Sequence, residues 1–221
     1  VNSAAPDAFL FDLDGTLVDS ERENIESVVR ASRRHGAELS DEERQFVIGH
    51  SWNEIYEMIA RHHALPVTMP QLIAEAVAEK RALIATTGYR PLPGAVAAVE
   101  RFARTSKLAV VTGASTAEAN DAVAGIGIAG LLATLVAAED YTRGKPAADP
   151  YALAIARLGV EARRSIAIED ATPGILSARA AGARVIAVRA GNFAGYDLSP
   201  ADVVVDTLDD VTDDVVARLM P

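Results

Sequence analysis

The chain of 221 residues is 50% hydrophobic and 24% charged, a globular balance, and its length admits one large domain or one domain carrying a substantial insert. Acidic residues outnumber basic ones 31 to 21, a formal net charge of -10, and no basic tract offsets it, so nucleic acid and membrane surfaces are poor partners. Cysteine is absent, which excludes disulfide frameworks, thiolate metal sites and cysteine nucleophiles and fits a reducing compartment.

The opening VNSAAPDAFLFDLDG has no positive region followed by a long apolar run, so no export signal is expected. The longest uncharged apolar stretch, Ile126 to Ala138, falls short of the roughly 20 residues that cross a bilayer. A cytoplasmic protein is the expectation. Ala8-Phe9-Leu10-Phe11 is short, apolar and aromatic, and predicts a buried first strand that ends at Asp12. From Asp19 to about Thr87 the spacing turns helical, with Ile25, Val28 and Val29 on one face, then Ile55, Met58 and Ile59, then Leu72, Ile73, Ala76 and Val77. Breaks at Gly36, Gly49 and Leu65-Pro66 divide this stretch into three or four helices. Ser40 before Asp41-Glu42-Glu43 reads as an N-cap. His62 and His63 read as surface helix residues.

After Gly88 apolar runs alternate with helical segments, the pattern of strand-helix-strand units on a parallel sheet. Strands are predicted at 107–112, 134–138, 165–168, 184–188 and 203–205. Helices are predicted at about 94–104, 115–125, 149–158, 173–181 and 208–219. The fold class is therefore α/β, a Rossmann-like parallel sheet core with an inserted helical cap domain. The core is residues 1–17 and 89–221, and the cap is 18–88.

In open parallel sheets ligands bind beyond the strand carboxyl ends. The residues there are Asp12-Leu13-Asp14-Gly15-Thr16, Thr112-Gly113-Ala114-Ser115, Glu139-Asp140 with Gly144-Lys145-Pro146 beyond, and Glu169-Asp170. Carboxylates crowded into one cleft repel each other unless they are solvated or a cation holds them. An all-oxygen donor set suits Mg²⁺, which also takes substrate phosphate oxygens. Lysine is scarce, only Lys80, Lys107 and Lys145, which makes Lys145 conspicuous. Asp140 reads as structural or as supporting the site. Thr112 also reads as an N-cap of the next helix, which is compatible with anion binding.

Four motifs in order, DLDGT at 12–16, Thr112 in VVTGAS, Lys145 in RGKPAADPY and Glu169-Asp170 in IAIEDATPG, resemble the haloacid dehalogenase-like superfamily and its capped phosphatases over nearly the whole chain. The resemblance implies a phosphatase that hydrolyses a small phosphomonoester, a sugar phosphate or phosphoglycolate-like metabolite, through an aspartyl-phosphate intermediate. It implies that Asp12 is the nucleophile and Asp14 the general acid and base. Mg²⁺ would be held by Asp12, the Asp14 carbonyl, Asp170 and Glu169, and phosphoryl oxygens by Thr112, Gly113, Ala114 and Lys145. It also implies that the cap closes over the site about hinges at 16–19 and 88–93 and reads substrate through His50, Ser51 and Trp52. For those cap residues, packing of Trp52 in the cap interior and exposure of His50 are the competing reading.

β-Phosphoglucomutases are similar, but they carry an arginine where this chain has Trp52 and a histidine where it has Asn24, which weakens a mutase reading. A mutase differs by accumulating an isomeric sugar phosphate instead of releasing phosphate. A non-catalytic sensor of a phosphorylated metabolite is the remaining alternative, and the intact motif set argues against it.

Overall fold

A computed structural model describes residues 5–220. The chain forms two compact units, one from Ser20 to Tyr89 and one holding everything up to Asp19 and from Arg90 onward.

The first is helical, with α1 Glu21–Arg34, α2 Asp41–Phe46, α3 Trp52–His62 and α4 Met69–Thr87. Their apolar faces meet, with Leu39 from the α1–α2 connection, in one core of Val28, Val29, Ile55, Met58, Ile59 and Leu72, each side chain contributing about 1.5–3 kcal/mol on burial. Trp52 packs against this core, and the His50 ring stacks on Phe46 at 3.7 Å while its Nδ1 donates to the Ile48 carbonyl. Helix starts follow the expected chemistry: Ser40 and Ser51 each accept from the amide three residues on, and Glu43 and Glu54 reach back to the amide of the capping residue.

His62 is the exposed last residue of α3, as expected, and His63 follows it half-buried, but both have a partner that the surface reading did not foresee. His62 Nδ1 donates to Glu43 Oε1 at 2.8 Å and His63 Nε2 at 3.0 Å, so one carboxylate ties the start of α2 to the end of α3. Periodicity misses this because both histidines find their partner about twenty residues away in the chain. Burial acts to raise the Glu43 pKa, but the Ser40 amide, His62, the Ser40 hydroxyl and His63 outweigh it and lower the value to about 2. A carboxylate titrating below its unfolded value adds stability above pH 4.5 that is lost as pH falls toward 2. Glu43→Gln is therefore expected to lower the stability of this unit by roughly 1–2 kcal/mol at pH 7, with the gap to the parent closing on acidification. Urea unfolding followed by fluorescence of Trp52, the only tryptophan, reads it; a gap that stays constant from pH 7 to 2.5 contradicts it.

The second unit is built on a six-stranded parallel sheet of β1 Ala8–Phe11, β4 Lys107–Val111, β5 Thr134–Val136, β6 Ser165–Glu169, β7 Arg184–Val188 and β8 Val203–Val205. Its strand order is β5-β4-β1-β6-β7-β8, and every pairing is parallel. The short strands β2 Val18–Asp19 and β3 Arg90–Pro91 pair antiparallel where the chain leaves and re-enters this unit, too briefly for any alternation to announce them. Helices α5 Ala95–Phe102, α6 Thr116–Gly125, α7 Asp149–Leu158, α8 Thr172–Ala180 and α9 Asp213–Leu219 complete it.

β1 is apolar throughout, and β4 and β6 are apolar between their ends, as burial on both faces requires. One core gathers Leu10, Val111, Tyr151, Ala167, Ile175 and Val185, and Phe9 stacks on Phe102 at 3.8 Å. Two expected elements are shorter than the sequence suggests. The strand from 134 stops at Val136, where a 3-10 turn, Ala138–Asp140, is held by the Ala137 amide donating to Asp140. The expected helix over 208–219 begins only at Asp213, capped by Thr212, after a 3-10 turn at Leu208–Asp210. Among the described residues no helix is long and apolar enough to cross a membrane.

Candidate active site

Register alone brings the chemistry together. Phe11 lies opposite Val110 of β4 and Ile168 of β6, so the next residue of each strand, Asp12, Val111 and Glu169, emerges at the same carboxyl edge. The Asp12 amide continues the ladder to the Ile168 carbonyl, and the Thr112 amide does so to Val136. Asp12, Thr112, Glu169 and Asp170 are all buried.

Lys145, from the loop before α7, reaches into this edge and spends all three of its protons there. Its Nζ donates to Asp12 Oδ1 at 2.5 Å, to Glu169 Oε1 at 2.6 Å and to the Val111 carbonyl at 3.1 Å. Burial opposes its charge, but Asp12 and Glu169 outweigh burial and raise its pKa, so the ammonium is fixed. A solvated surface lysine is thereby excluded.

One ammonium does not balance three carboxylates. Oxygens of Asp12, Glu169 and Asp170 lie within 4.8 Å of one another. Burial, then the Glu169 charge, pushes Asp170 up to about 8, against the pull of Thr16 and Lys145. Asp12 is raised well above the usual carboxylate range by burial, with Lys145 opposing and Glu169 and Asp170 reinforcing. Buried oxygens in charge excess are the donor set a small divalent cation takes, and it would relieve the repulsion.

The turn after β1 is shaped around the same group. Leu13 accepts from the amides of Leu17 and Val18, and Gly15, at φ +84°, closes the turn by donating to the Val18 carbonyl. A Cβ on Gly15 would sit 2.3 Å from Asp170 Oδ2, so only glycine serves, and the Thr16 hydroxyl donates to Asp170 Oδ1 at 3.2 Å. Asp14 lies in this turn, two residues beyond Asp12, and is half-buried.

On the other side Thr112 Oγ1 accepts from the Ala114 amide at 3.0 Å, which leaves its hydroxyl proton free to donate outward. Helix α6 is capped by Ser115, whose Oγ accepts from the Glu118 amide, so Thr112 is not the N-cap that the sequence offered as a second reading. Asp140 receives Arg157 and the Ala137 amide and is structural. His50, Ser51 and Trp52 belong to the helical unit and were placed there above.

Sequence reasoning misses three residues at this edge. Tyr151 is fully buried and donates its hydroxyl to Glu169 Oε1 at 2.6 Å. An apolar-face reading of 149–158 absorbs it into the core; the one contrary signal is a tyrosine where phenylalanine would fill the same volume. Gly174 lies so close to Glu169 that a Cβ would fall 1.9 Å from Oε1. Gly191, beyond β7, has the Gly15 carbonyl 1.5 Å from where its Cβ would be. Since that obstacle is backbone, Gly191→Ala is expected to cost about 3 kcal/mol or more, lowering Tm by roughly 6 °C or more, and to impair turnover through the Gly15 turn. Thermal melting checks it, and a parent-like Tm refutes it.

A model described as haloacid dehalogenase-like hydrolase matches residues 9–188. Hexitol phosphatase A of Escherichia coli (strain K12) is 36% identical over 92% of each chain. Validoxylamine A 7'-phosphate phosphatase of Streptomyces hygroscopicus subsp. limoneus is 32% identical over 91% of this chain and 94% of its own. The crystal structure of CbbY from Rhodobacter sphaeroides in complex with phosphate superposes with a TM-score of 0.83 at 22% identity, covering 96% of this chain and 99% of that one, which establishes a shared fold.

Proposed function

We propose, from the premise that this chain belongs to the haloacid dehalogenase-like hydrolases and is a phosphatase of small phosphomonoesters, that Asp12 is its nucleophile and Mg²⁺ its metal. The observation that carries the reading is a carboxylate at the end of the central strand, gripped by an ammonium and crowded by two further buried carboxylates.

An Asp12 oxygen attacks phosphorus while the bond from phosphorus to the substrate alkoxide breaks, and Asp14 gives its proton to that departing oxygen. Asp14, now a carboxylate, then takes a proton from a water whose oxygen attacks the aspartyl phosphate. The bond to Asp12 breaks, and inorganic phosphate leaves with both aspartates restored. Lys145 holds Asp12 in place and sets positive charge against the transferring group. The Thr112 hydroxyl and the Gly113 amide take phosphoryl oxygens; the Ala114 amide, spent on Thr112 Oγ1, orients that hydroxyl and joins them only by letting it go. Asp12, Asp170, the Asp14 carbonyl and Glu169 would hold the Mg²⁺, with Glu169 using Oε2 because its Oε1 already accepts two hydrogen bonds. Bound there, the ion offsets the repulsion between phosphate and nucleophile.

The substrate class is a sugar phosphate or a phosphoglycolate-like metabolite. Two curated relatives, named for a hexitol and for validoxylamine A 7'-phosphate, support the first. A panel of phosphorylated metabolites assayed for released phosphate tests the whole reading. At least one small sugar phosphate or phosphoglycolate is expected to turn over, to lose about a hundredfold or more in rate after chelation, and to regain it with Mg²⁺. Full activity after exhaustive chelation, or an isomeric sugar phosphate in place of free phosphate, defeats it.

A further inference from the structure

We infer that Tyr151 is a positioning residue for phosphoryl transfer: its hydroxyl fixes which Glu169 oxygen faces the reaction and keeps Lys145 shared between Glu169 and Asp12. The inference rests on the phosphatase reading above and names a residue that reading leaves unused.

Glu169 Oε1 accepts from Lys145 Nζ at 2.6 Å and from Tyr151 Oη at 2.6 Å, so both of its lone pairs are taken and only Oε2 remains for a cation or water. The carboxylate is walled in as well, for Gly174 leaves no room even for a methyl group beside Oε1, Cδ and Oε2. Lys145, with its three protons committed, cannot favour one carboxylate without releasing the other. Its Nζ lies 5.1 Å from the centre of the Tyr151 ring, so ring and hydroxyl act on the two members of one ion pair.

The hydroxyl is not needed to fill space. Tyr151 is fully buried on α7, where phenylalanine has nearly the same volume, and a buried polar group persists where it has a partner to serve. Remove the hydroxyl, and Oε1 keeps one partner, with the buried edge of a phenyl ring where the other stood. Glu169 then competes harder for the Lys145 ammonium, at the expense of Asp12, or turns Oε1 toward the metal position.

Tyr151→Phe tests this, because it keeps the ring and deletes one hydrogen bond. The expected result is about a tenfold fall in kcat with KM changed by less than about twofold, and about a tenfold weakening of Mg²⁺ binding by calorimetry on the substrate-free enzyme. In a Glu169→Gln background the same change is expected to have no further effect on kcat, since Tyr151 acts through that carboxylate. A purely structural role would lower Tm, leave the Mg²⁺ affinity of the folded protein unmoved and add its full cost in the double variant; that pattern overturns the inference. A measurement on the unaltered protein covers the case of a variant that does not fold. With tyrosine isotopically labelled, the Tyr151 hydroxyl proton is expected as a slowly exchanging downfield resonance that shifts as Mg²⁺ is added, and a proton blind to Mg²⁺ refutes the proposal. Failure of the phosphatase reading appears differently, as an unaltered enzyme that releases no phosphate from any panel member.

Discussion

Asp12→Asn is expected to abolish phosphate release, with a loss of about 10⁴-fold or more on aryl and alkyl phosphates alike, while the protein stays folded. Asparagine preserves the shape and can still accept from Lys145, but its amide oxygen cannot form the covalent intermediate. The two consequences diverge in a useful way. Asp12, Glu169 and Asp170 crowd one buried edge with a single ammonium between them, and replacing one anion by a neutral group relieves part of that repulsion. In chelator, the variant is therefore expected to melt no lower than the parent. Turnover of p-nitrophenyl phosphate and a thermal melt measure the two effects on one preparation. Activity within tenfold of the parent would remove Asp12 from the role of nucleophile.

Asp14→Asn is expected to separate the two halves of the reaction. On an alkyl phosphate the loss is about 10²–10⁴-fold, since an alkoxide leaves poorly without a proton. An aryl phosphate needs no such help, so the first step survives. Hydrolysis of the aspartyl phosphate still lacks its base, and the intermediate accumulates. Rapid mixing should therefore show a burst of nitrophenolate equal to the enzyme present, followed by slow turnover. Equal slowing of the two substrates with no burst would contradict the acid and base assignment.

What could be read from the sequence, and what could not, divides by the distance over which each feature is determined. Asp12, Thr112 and Glu169-Asp170 stand out because each ends an apolar run, and a parallel sheet aligns such ends whatever the details of packing. Lys145 is conspicuous by scarcity. Tyr151, Gly174 and Gly191 are invisible for the opposite reason. What matters about them is which atom of another element lies within 3 Å, and no periodicity encodes that. Glu43 is a mixed case. Its place in the first turn after the Ser40 N-cap is local and was legible, whereas its bonds to His62 and His63 need α2 and α3 already packed. Element ends obey the same division, since the early stop of β5 and the late start of α9 depend on single side chains, Asp140 and Thr212, bonding nearby amides.

The placement of β1 between β4 and β6 has a consequence for how the molecule is made. On the ribosome Ala8–Phe11 emerges before either of its neighbours: the first, starting with Lys107, follows roughly a hundred residues later, and the second, starting with Ser165, later still. At about 5–20 residues per second that is a wait of seconds with four apolar side chains unpartnered, an opening for chaperones and for aggregation. Residues 20–89 meanwhile hold a core of their own and can consolidate while the nascent strand waits. A chain released before β6 would lack Glu169 and Asp170, so it would contain Asp12, the proposed nucleophile, without the acidic partners that surround it in the finished fold.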